Sequence, residues 1–435
     1  MRPRVHSHPI PALVLGLGQN GLATVRALGR LGIRVFGVDA DLSQLGARSR
    51  YCSAIECPDF KAAGPGLLQL LEDLGRQFAE RPVLFPSGDL NLSLVSDERE
   101  RLARWYRLSL SRREVVRRAL DKRAFYEFAM RHALPIPRTF FLDGTHDPEA
   151  VADEIEYPCI VKPFRPTAAW RRRFDTRLFI CGSREELLAI HSRLVTVHRE
   201  ILVQEYMTGS DCELYFGMTY LGREQQPLAL WTGRKLRMYP VRFGTATFAE
   251  SRHEPWIAEP TVAILRRLGV RGYGTIEFKR DQPDGQFKMT ETTIGRAWFP
   301  HGLVTASGVN LPYVWYRDAI GLPPLPSPDF IEGLKWINEE RDLKTVWRYS
   351  LPSRELTLAS WLASYRGRRT YAYAAWDDPG PGIRCLGRLG RSAFRFARSR
   401  LRGGRAGGRP SVASEQDAGF EVTKLRAESR GMLLR

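Results

Sequence analysis

The 435-residue sequence is poor in cysteine. It has six, Cys52, Cys57, Cys159, Cys181, Cys212 and Cys385, and no CxxC pair among them. That spacing argues against a zinc cluster or a disulfide framework and suits a reducing compartment. No uninterrupted apolar run reaches the length needed to span a bilayer. The first 25 residues open like a signal peptide, with Arg2 and Arg4 ahead of PALVLGLG, but the run is short. It continues through Gln19, Asn20 and Gly21 as a strand-turn-helix, so a cytoplasmic protein is expected. Also missing are GxSxG, HExxH and the GK[ST] of a phosphate loop, so no side-chain nucleophile, zinc centre or P-loop announces itself. Acids are scarcer than bases, 48 against 66, and the net charge is +18. This excess favours phosphate-bearing ligands, nucleic acid or an anionic membrane surface, without choosing among them.

What is present reads as a folded chain, with 43% hydrophobic and 26% charged residues. Its length suggests about three domains of about 150 residues. Residues 12–17 are an apolar run of the kind buried in a parallel sheet, and 33–38 are another, ending at Asp39. Between them lie Gly16-Leu17-Gly18-Gln19-Asn20-Gly21 and a helical pattern. GxGxxG followed by an acid is the dinucleotide fingerprint, in which glycines admit a pyrophosphate and the acid takes a ribose hydroxyl. The same loop also serves only to turn a strand into a helix. A helix over 67–78 and a strand over 83–85, ending in Pro86-Ser87-Gly88-Asp89, complete a doubly wound domain to about residue 110.

From Ser111 one basic helix is expected, RREVVRRALDKRAFYEFAMRHA, with Lys122 inside it. PCIVK, residues 158–162, is an apolar strand delivering Lys162 at its end, suited to a phosphate or, alternatively, to guarding a sheet edge. ILVQEY over 201–206 is a further strand, and WTGRKLRM over 231–238 gathers Arg234, Lys235 and Arg237. An anionic ligand explains that gathering better than a solvated turn does.

Residues 271–296, RGYGTIEFKRDQPDGQFKMTETTIGR, read as two strands joined by a turn at Asp281, Pro283, Asp284 and Gly285. Alternation allows Glu277 to approach Glu291. Two such acids raise each other's pKa unless a cation stands between them. Mg²⁺, which takes one or two carboxylates at about 2.0–2.1 Å and leaves its other positions to water and phosphate, is the simplest relief. Arg296 would then face a transferred phosphate. The competing reading is a solvated hairpin whose Glu and Lys pair across strands.

Taken in order, these parts resemble the ATP-grasp superfamily, and within it the carboxylate-amine ligase-like group, over roughly residues 12–321. The resemblance rests on the series PSGD, Asp121-Lys122 before Pro-x-Pro, VKP at Lys162, QEY at 204–206, GRKLR, GTIEFKRD and TETTIGR. It implies α/β and α+β architecture: a preATP-grasp Rossmann-like domain over 1–110, then a two-lobed ATP-grasp fold. The small lobe covers 111–205 and the large lobe, with the metal site, 206–325, with Mg-ATP between them; an extension over 326–382 and a basic tail over 383–435 follow. The first domain need not bind a nucleotide in that family. The resemblance implies ATP contacts from Lys122, Lys162, Gln204, Glu205, Tyr206 and Glu213, and catalytic roles for Lys235 and Arg296. Glu277, Glu291 and Thr293 would hold Mg²⁺, or Mn²⁺ in its place. The implied activity joins a small-molecule carboxylate to an amine through an acyl phosphate, releasing ADP.

Two departures stand out. Where the family has ExNxR, Thr293 replaces asparagine and Gly295 replaces arginine, with Arg296 one residue later. A threonine hydroxyl can ligate Mg²⁺ directly or through water. Where relatives carry a glycine-rich lid, this chain has FRPTAAWRRRFDTR, whose Arg165, Arg171, Arg172 and Arg173 would surround phosphates or bind an acidic substrate. These departures motivate the alternative of a catalytically silent ATP-binding regulatory or scaffold protein. A Rossmann oxidoreductase using Gly16 to Gly21 is a more distant one. In the extension, Trp336, Trp347 and Trp361 are expected in a core. Residues 384–409 carry nine arginines and no acid. They suit a basic amphipathic helix on the inner membrane face or a flexible tail, and plain disorder is the favoured reading. No specific nucleic-acid partner is expected.

Overall fold

The computed structural model describes residues 9–60, 65–144, 146–164, 167–174, 178–241, 244–281, 285–326, 329–351 and 356–402. It divides into two compact units. One comprises the described residues up to Asp121 with Ser210–Arg280 and Met289–Arg402; the other comprises Lys122–Gly209 and Asp281–Lys288.

The first unit begins with four parallel strands, β1 (Ala12–Leu15), β2 (Val35–Asp39), β3 (Cys52–Glu56) and β4 (Val83–Pro86), in the order β3-β2-β1-β4. Parallel neighbours need crossovers, and the helices Gln19–Gly29 and Pro65–Gln77 supply two of them. Every residue of β1 and β4 is buried, as in a sheet covered on both faces. Gly16 turns β1 toward its helix at φ 91°, where a side chain would be strained and a Cβ would meet Ser87 Oγ at 2.5 Å. Asp39 is buried and accepts the Leu17 N–H at 2.6 Å, while Ser87 Oγ donates to the carbonyls of Leu15 and Gly16. The glycine loop is thus closed by the protein's own groups. The tight-turn reading fits this packing, and the acid that would take a ribose is committed to the backbone.

The second unit holds an antiparallel sheet of β5 (Thr139–Leu142), β6 (Cys159–Pro163), β7 (Phe179–Cys181) and β8 (Ile201–Glu205), in the order β5-β8-β6-β7. The single basic helix expected from Ser111 is two helices, Arg113–Leu120 and Lys122–Arg131, broken at an extended Asp121. Each buries its own residues, Val115 and Val116 in one, Phe125, Tyr126 and Ala129 in the other, and each belongs to a different unit. Lys122 therefore opens a helix instead of lying within one.

Seven strands form the large sheet, all in the first unit except Phe287 and Lys288 of β13: β9 (Leu214–Leu221), β10 (Pro227–Tyr239), β11 (Thr245–Ser251), β12 (Gly272–Arg280), β13 (Phe287–Ile294), β14 (Lys335–Ile337) and β15 (Arg369–Tyr371). Their order is β13-β12-β9-β10-β11-β14-β15, so β12 and β13 are neighbours as the turn-rich run required. The last two strands come from the extension and pair parallel at the sheet's edge. Trp336 is buried there, but Trp347 is 60% exposed and does not join a core. After it the chain returns to the first helix: Arg26 Nε donates to the fully buried Asp378 at 2.8 Å, and Arg26 also donates to the carbonyls of Ala372 and Tyr373.

Residues Pro379–Arg402 are a helix, not the disorder favoured for the tail. Its early turns are anchored, with Cys385 buried and Arg388 Nη2 donating to the Ser43 carbonyl at 2.6 Å. The Gly403-Gly404 and Gly407-Gly408 pairs lie outside the described residues. Among the described residues, no helix is long and apolar enough to cross a membrane.

Candidate active site

In the first unit β12 supplies Glu277 and β10 supplies Lys235, with β9 between them in the sheet. Lys235 Nζ stands 2.5 Å from Glu277 Oε2, and the side chains are only 3% and 8% exposed. The contact is ionic without hydrogen-bond alignment, since Oε2 has no directed donor among the described residues. Oε1 accepts from Thr290 Oγ1 at 2.9 Å. The ammonium also lies 5.8 Å from the centroid of the Trp298 ring.

Glu291 on β13 remains accessible to solvent although protein surrounds it at longer range. Desolvation, followed by the charge of Glu277, holds its pKa above the ordinary carboxylate value, against the pull of Lys235 and Arg296. Thr293, two residues along, is buried. Gly295 then takes φ 63°, its N–H donating to the Tyr273 carbonyl at 2.8 Å. Arg296 Nε donates to Asp89 Oδ1 at 2.5 Å and Nη1 to the Ala297 carbonyl at 3.3 Å.

The three cations of GRKLR do not converge on one open anion site. Arg234 pairs with Glu250 at 2.6 Å, and Arg237 grips the buried Asp342 through Nε and Nη2, each at 2.8 Å. Its guanidinium carbon sits 4.1 Å from the Phe248 centroid, and Thr247 and Tyr365 also donate to Asp342. Arg237 therefore secures the extension. Only Lys235 of the three is paired to a predicted metal carboxylate.

Two carboxylates, one with an oxygen lacking an aligned donor among the described residues and one disfavoured as an anion by desolvation and then by its neighbour, fit a hard divalent ion. Such an ion accepts one or two carboxylates and completes its shell with water and phosphate. Among the described residues no group of three or more His, Cys, Asp or Glu forms an all-protein metal cage.

In the second unit Lys162, at the far end of β6, donates to Gln204 Oε1 at 2.9 Å, and Gln204 Nε2 donates to Thr139 Oγ1 at 2.8 Å. Thr139 in turn donates to the Pro137 carbonyl at 2.7 Å, which leaves its oxygen to accept from Gln204 and fixes the amide's orientation. Glu205 closes β8; Lys288 Nζ reaches its Oε1 at 2.6 Å, and Arg138 N–H its Oε2 at 3.1 Å. Lys288 is also 3.3 Å from Asp281, which accepts both the N–H and the hydroxyl of Thr208 at 3.1 Å. Burial alone would lower the Lys288 pKa, but the bonds and charges of Glu205 and Asp281 outweigh it and raise it. Tyr206 N–H donates to the Pro158 carbonyl at 3.3 Å. Lys122 is exposed at the start of its helix.

Glu213, in the first unit, ends a 3₁₀ turn, Asp211–Glu213, with a buried Oε2 that has no partner among the described residues. The arginine-rich run after Lys162 includes the helix Ala168–Arg173, capped by Thr167 and anchored by the buried Trp170. Arg172 and Arg173 are exposed on it, while Arg165 lies outside the described residues.

The structure thus gathers Lys235, Glu277, Glu291 and Arg296 in one unit, and Lys162, Gln204 and Glu205 in the other. Sequence reasoning missed Asp89, Thr290, Thr139 and Lys288. Asp89 was visible as the acid of PSGD, but nothing local tied it to residue 296. Lys288 was visible as the cation beside Met289 on the second strand, although its partners are distant in sequence.

No protein-family model matches the chain. It is 24% identical over 259 residues to a D-aspartate ligase of Enterococcus faecium, spanning 56% of this chain and 60% of the relative. A D-alanine–D-alanine ligase of Chromohalobacter salexigens is 22% identical over 199 residues, 44% of this chain and 60% of the relative. The chain thus matches about 60% of the length of each of these curated relatives. Among solved structures, it resembles the biotin carboxylase domain of the 2-oxoglutarate carboxylase from Hydrogenobacter thermophilus, solved with MgADP, ADP and bicarbonate. The TM-score is 0.56 at 15% identity, covering 75% of this chain and 74% of that one. At such identity the structural likeness shows the fold alone.

Proposed function

We propose that this chain, which has the ATP-grasp fold and resembles the carboxylate-amine ligase-like group, is an ADP-forming ligase joining a small carboxylate to an amine. A carboxylate oxygen of the substrate attacks the γ-phosphorus of ATP, the bond to the β-phosphate breaks, and ADP leaves. The amine lone pair then attacks the acyl carbon of the acyl phosphate. Phosphate departs with the C–O bonding electrons, and the nitrogen loses a proton as the amide forms.

The chain's own residues supply position and charge. Lys162, its ammonium aimed by the oriented Gln204 amide, and Lys122 hold phosphate oxygens, and Lys235 does so from beside Glu277. The backbone at Glu205 and Tyr206 reads the adenine, with the Glu205 carboxylate fixed by Lys288. Glu213 Oε2, buried with no donor among the described residues, is free to accept a ribose hydroxyl. Arg296 stabilises the oxyanion of the second step. Glu277 and Glu291, with Thr293, would hold Mg²⁺, with Mn²⁺ as a substitute, and the ion would neutralise charge between the β- and γ-phosphate oxygens. The two curated relatives, a D-aspartate ligase and a D-alanine–D-alanine ligase, favour an amino acid among the substrates.

The observation that carries the reading is the buried Lys235–Glu277 pair, 2.5 Å apart, with Glu277 Oε2 lacking an aligned donor among the described residues and Glu277 on the strand next to that of Glu291. The test measures ADP and phosphate release with Mg-ATP against pooled amino acids, dipeptides and small carboxylates, with Glu291→Ala as the blank. Stimulated release that the variant lacks is expected. ATP binding without release under any pool would leave the silent binding protein as the better reading.

A further inference from the structure

We propose that Asp89 is the positioning residue for Arg296: a carboxylate at the end of the PSGD loop that sets the direction of the guanidinium. The inference rests on the ligase reading above. Asp89 is the first residue of the helix Asp89–Asp97, where its charge is favourable to the helix dipole. It accepts from Arg296 Nε at 2.5 Å, and the pair is asymmetric: the arginine side chain is 12% exposed and the aspartate 61%. Such a pair adds little to stability because water solvates the acid. What it fixes is orientation.

Three contacts restrict the arginine. Gly295 N–H is held by the Tyr273 carbonyl, Arg296 Nη1 reaches the Ala297 carbonyl, and Nε is held by Asp89. A guanidinium has five N–H donors. With one at Nε and one at Nη1 engaged, three remain for an anionic substrate oxygen, and their plane is set by Asp89.

The one-residue displacement of the arginine gains a physical reason from the same contact. Gly295 sits at φ 63°, and a Cβ there would stand 2.9 Å from Leu92 Cδ1, on the helix that Asp89 begins. Glycine lets the end of β13 close on that helix and turns the following residue toward its first turn. Gly295, Arg296 and Asp89 therefore form one device built from segments about 200 residues apart (207 between Asp89 and Arg296).

The test compares the full-length parent with Asp89→Asn, Asp89→Glu, Arg296→Ala and the Asp89→Asn/Arg296→Ala double variant. Asp89→Asn is expected to lower kcat about 10- to 100-fold, the scale of a misplaced reacting group, with KM for ATP within about twofold. Asp89→Glu recovers most of the loss. In the Arg296→Ala background, Asp89→Asn adds nothing further, since both act as a unit. Arginine Nε–H spectra, with the Arg296 signal assigned by Arg296→Lys, are expected to show faster exchange in Asp89→Asn. Unchanged kcat in Asp89→Asn, additive losses in the double variant or an unchanged Arg296 signal would each overturn the proposal. A parent that releases no ADP with any substrate overturns the ligase reading instead, and the Nε–H exchange then decides the contact alone.

Discussion

At the scale of single residues, the site depends on charges that burial makes expensive unless they are matched. Replacing Lys235 with Met strands the Glu277 carboxylate, and loss of one partner of a buried pair costs about 3–5 kcal/mol. Lys235→Met should therefore fall by about that amount in urea unfolding as well as lose ADP release. His301 offers a second test. It is 1% exposed, its Nε2 lies 3.1 Å from the Asn20 carbonyl, and burial pushes its pKa down to about 4. Its unfolded value is about 6.5, so between the two the unfolded chain takes up a proton that the native chain refuses. His301 imposes no penalty above about pH 6.5, and stability declines as pH falls toward 4, by about 1.4 kcal/mol per unit. His301→Gln should flatten that decline in urea titrations at pH 7, 5.5 and 4.5. A parallel decline in both proteins would assign the acid sensitivity elsewhere.

At the scale of elements, the pairing of β12 with β13 was legible because apolar residues alternate with polar ones and the sequence between them carries Pro283, Asp284 and Gly285. The parallel β1 and β4 were legible as short apolar runs. The break at Asp121 was not, because 112–133 is basic throughout and its apolar positions keep a helical period across the junction. Only packing reveals that Val115 and Phe125 belong to different units. Likewise Glu277, Glu291, Lys162 and Arg296 stand in recognisable strings, whereas the partners that orient them, Asp89, Thr139 and Lys288, are set by contacts between distant segments. Arg237 looked like a ligand group for the same reason in reverse: its carboxylate, Asp342, comes 105 residues later. Gly295 marks where element and site meet. Gly295→Ala must bear both positive φ and the approach to Leu92, together costing roughly 1–3 kcal/mol. A matching drop in unfolding free energy, with a loss of kcat beyond what the residual fold explains, is the expected outcome.

At the scale of the whole chain, the described residues assemble the first unit from three separated segments and the second from two. The clamp between Arg26 and Asp378 joins the beginning of the described chain to its last helix, and Ser49 Oγ and Arg50 N–H also donate to Asp378, at 2.7 and 2.8 Å. Asp378→Ala leaves the Arg26 guanidinium buried without its carboxylate, an expected loss of about 3–5 kcal/mol. Limited proteolysis should then cut near residues 372–385 earlier than in the parent, while a digestion pattern like the parent's would show that the segment is held without the clamp.

That clamp also imposes an order on the birth of the protein. Its two partners are 352 residues apart, so a ribosome moving at roughly 5–20 residues per second makes Arg26 about 20–70 s before Asp378. During that interval the helix beside the nascent parallel sheet carries a cation whose carboxylate and carbonyl partners have not yet been made. The N-terminal segment must wait, incompletely packed and open to chaperones, until nearly the last described residues emerge to finish it.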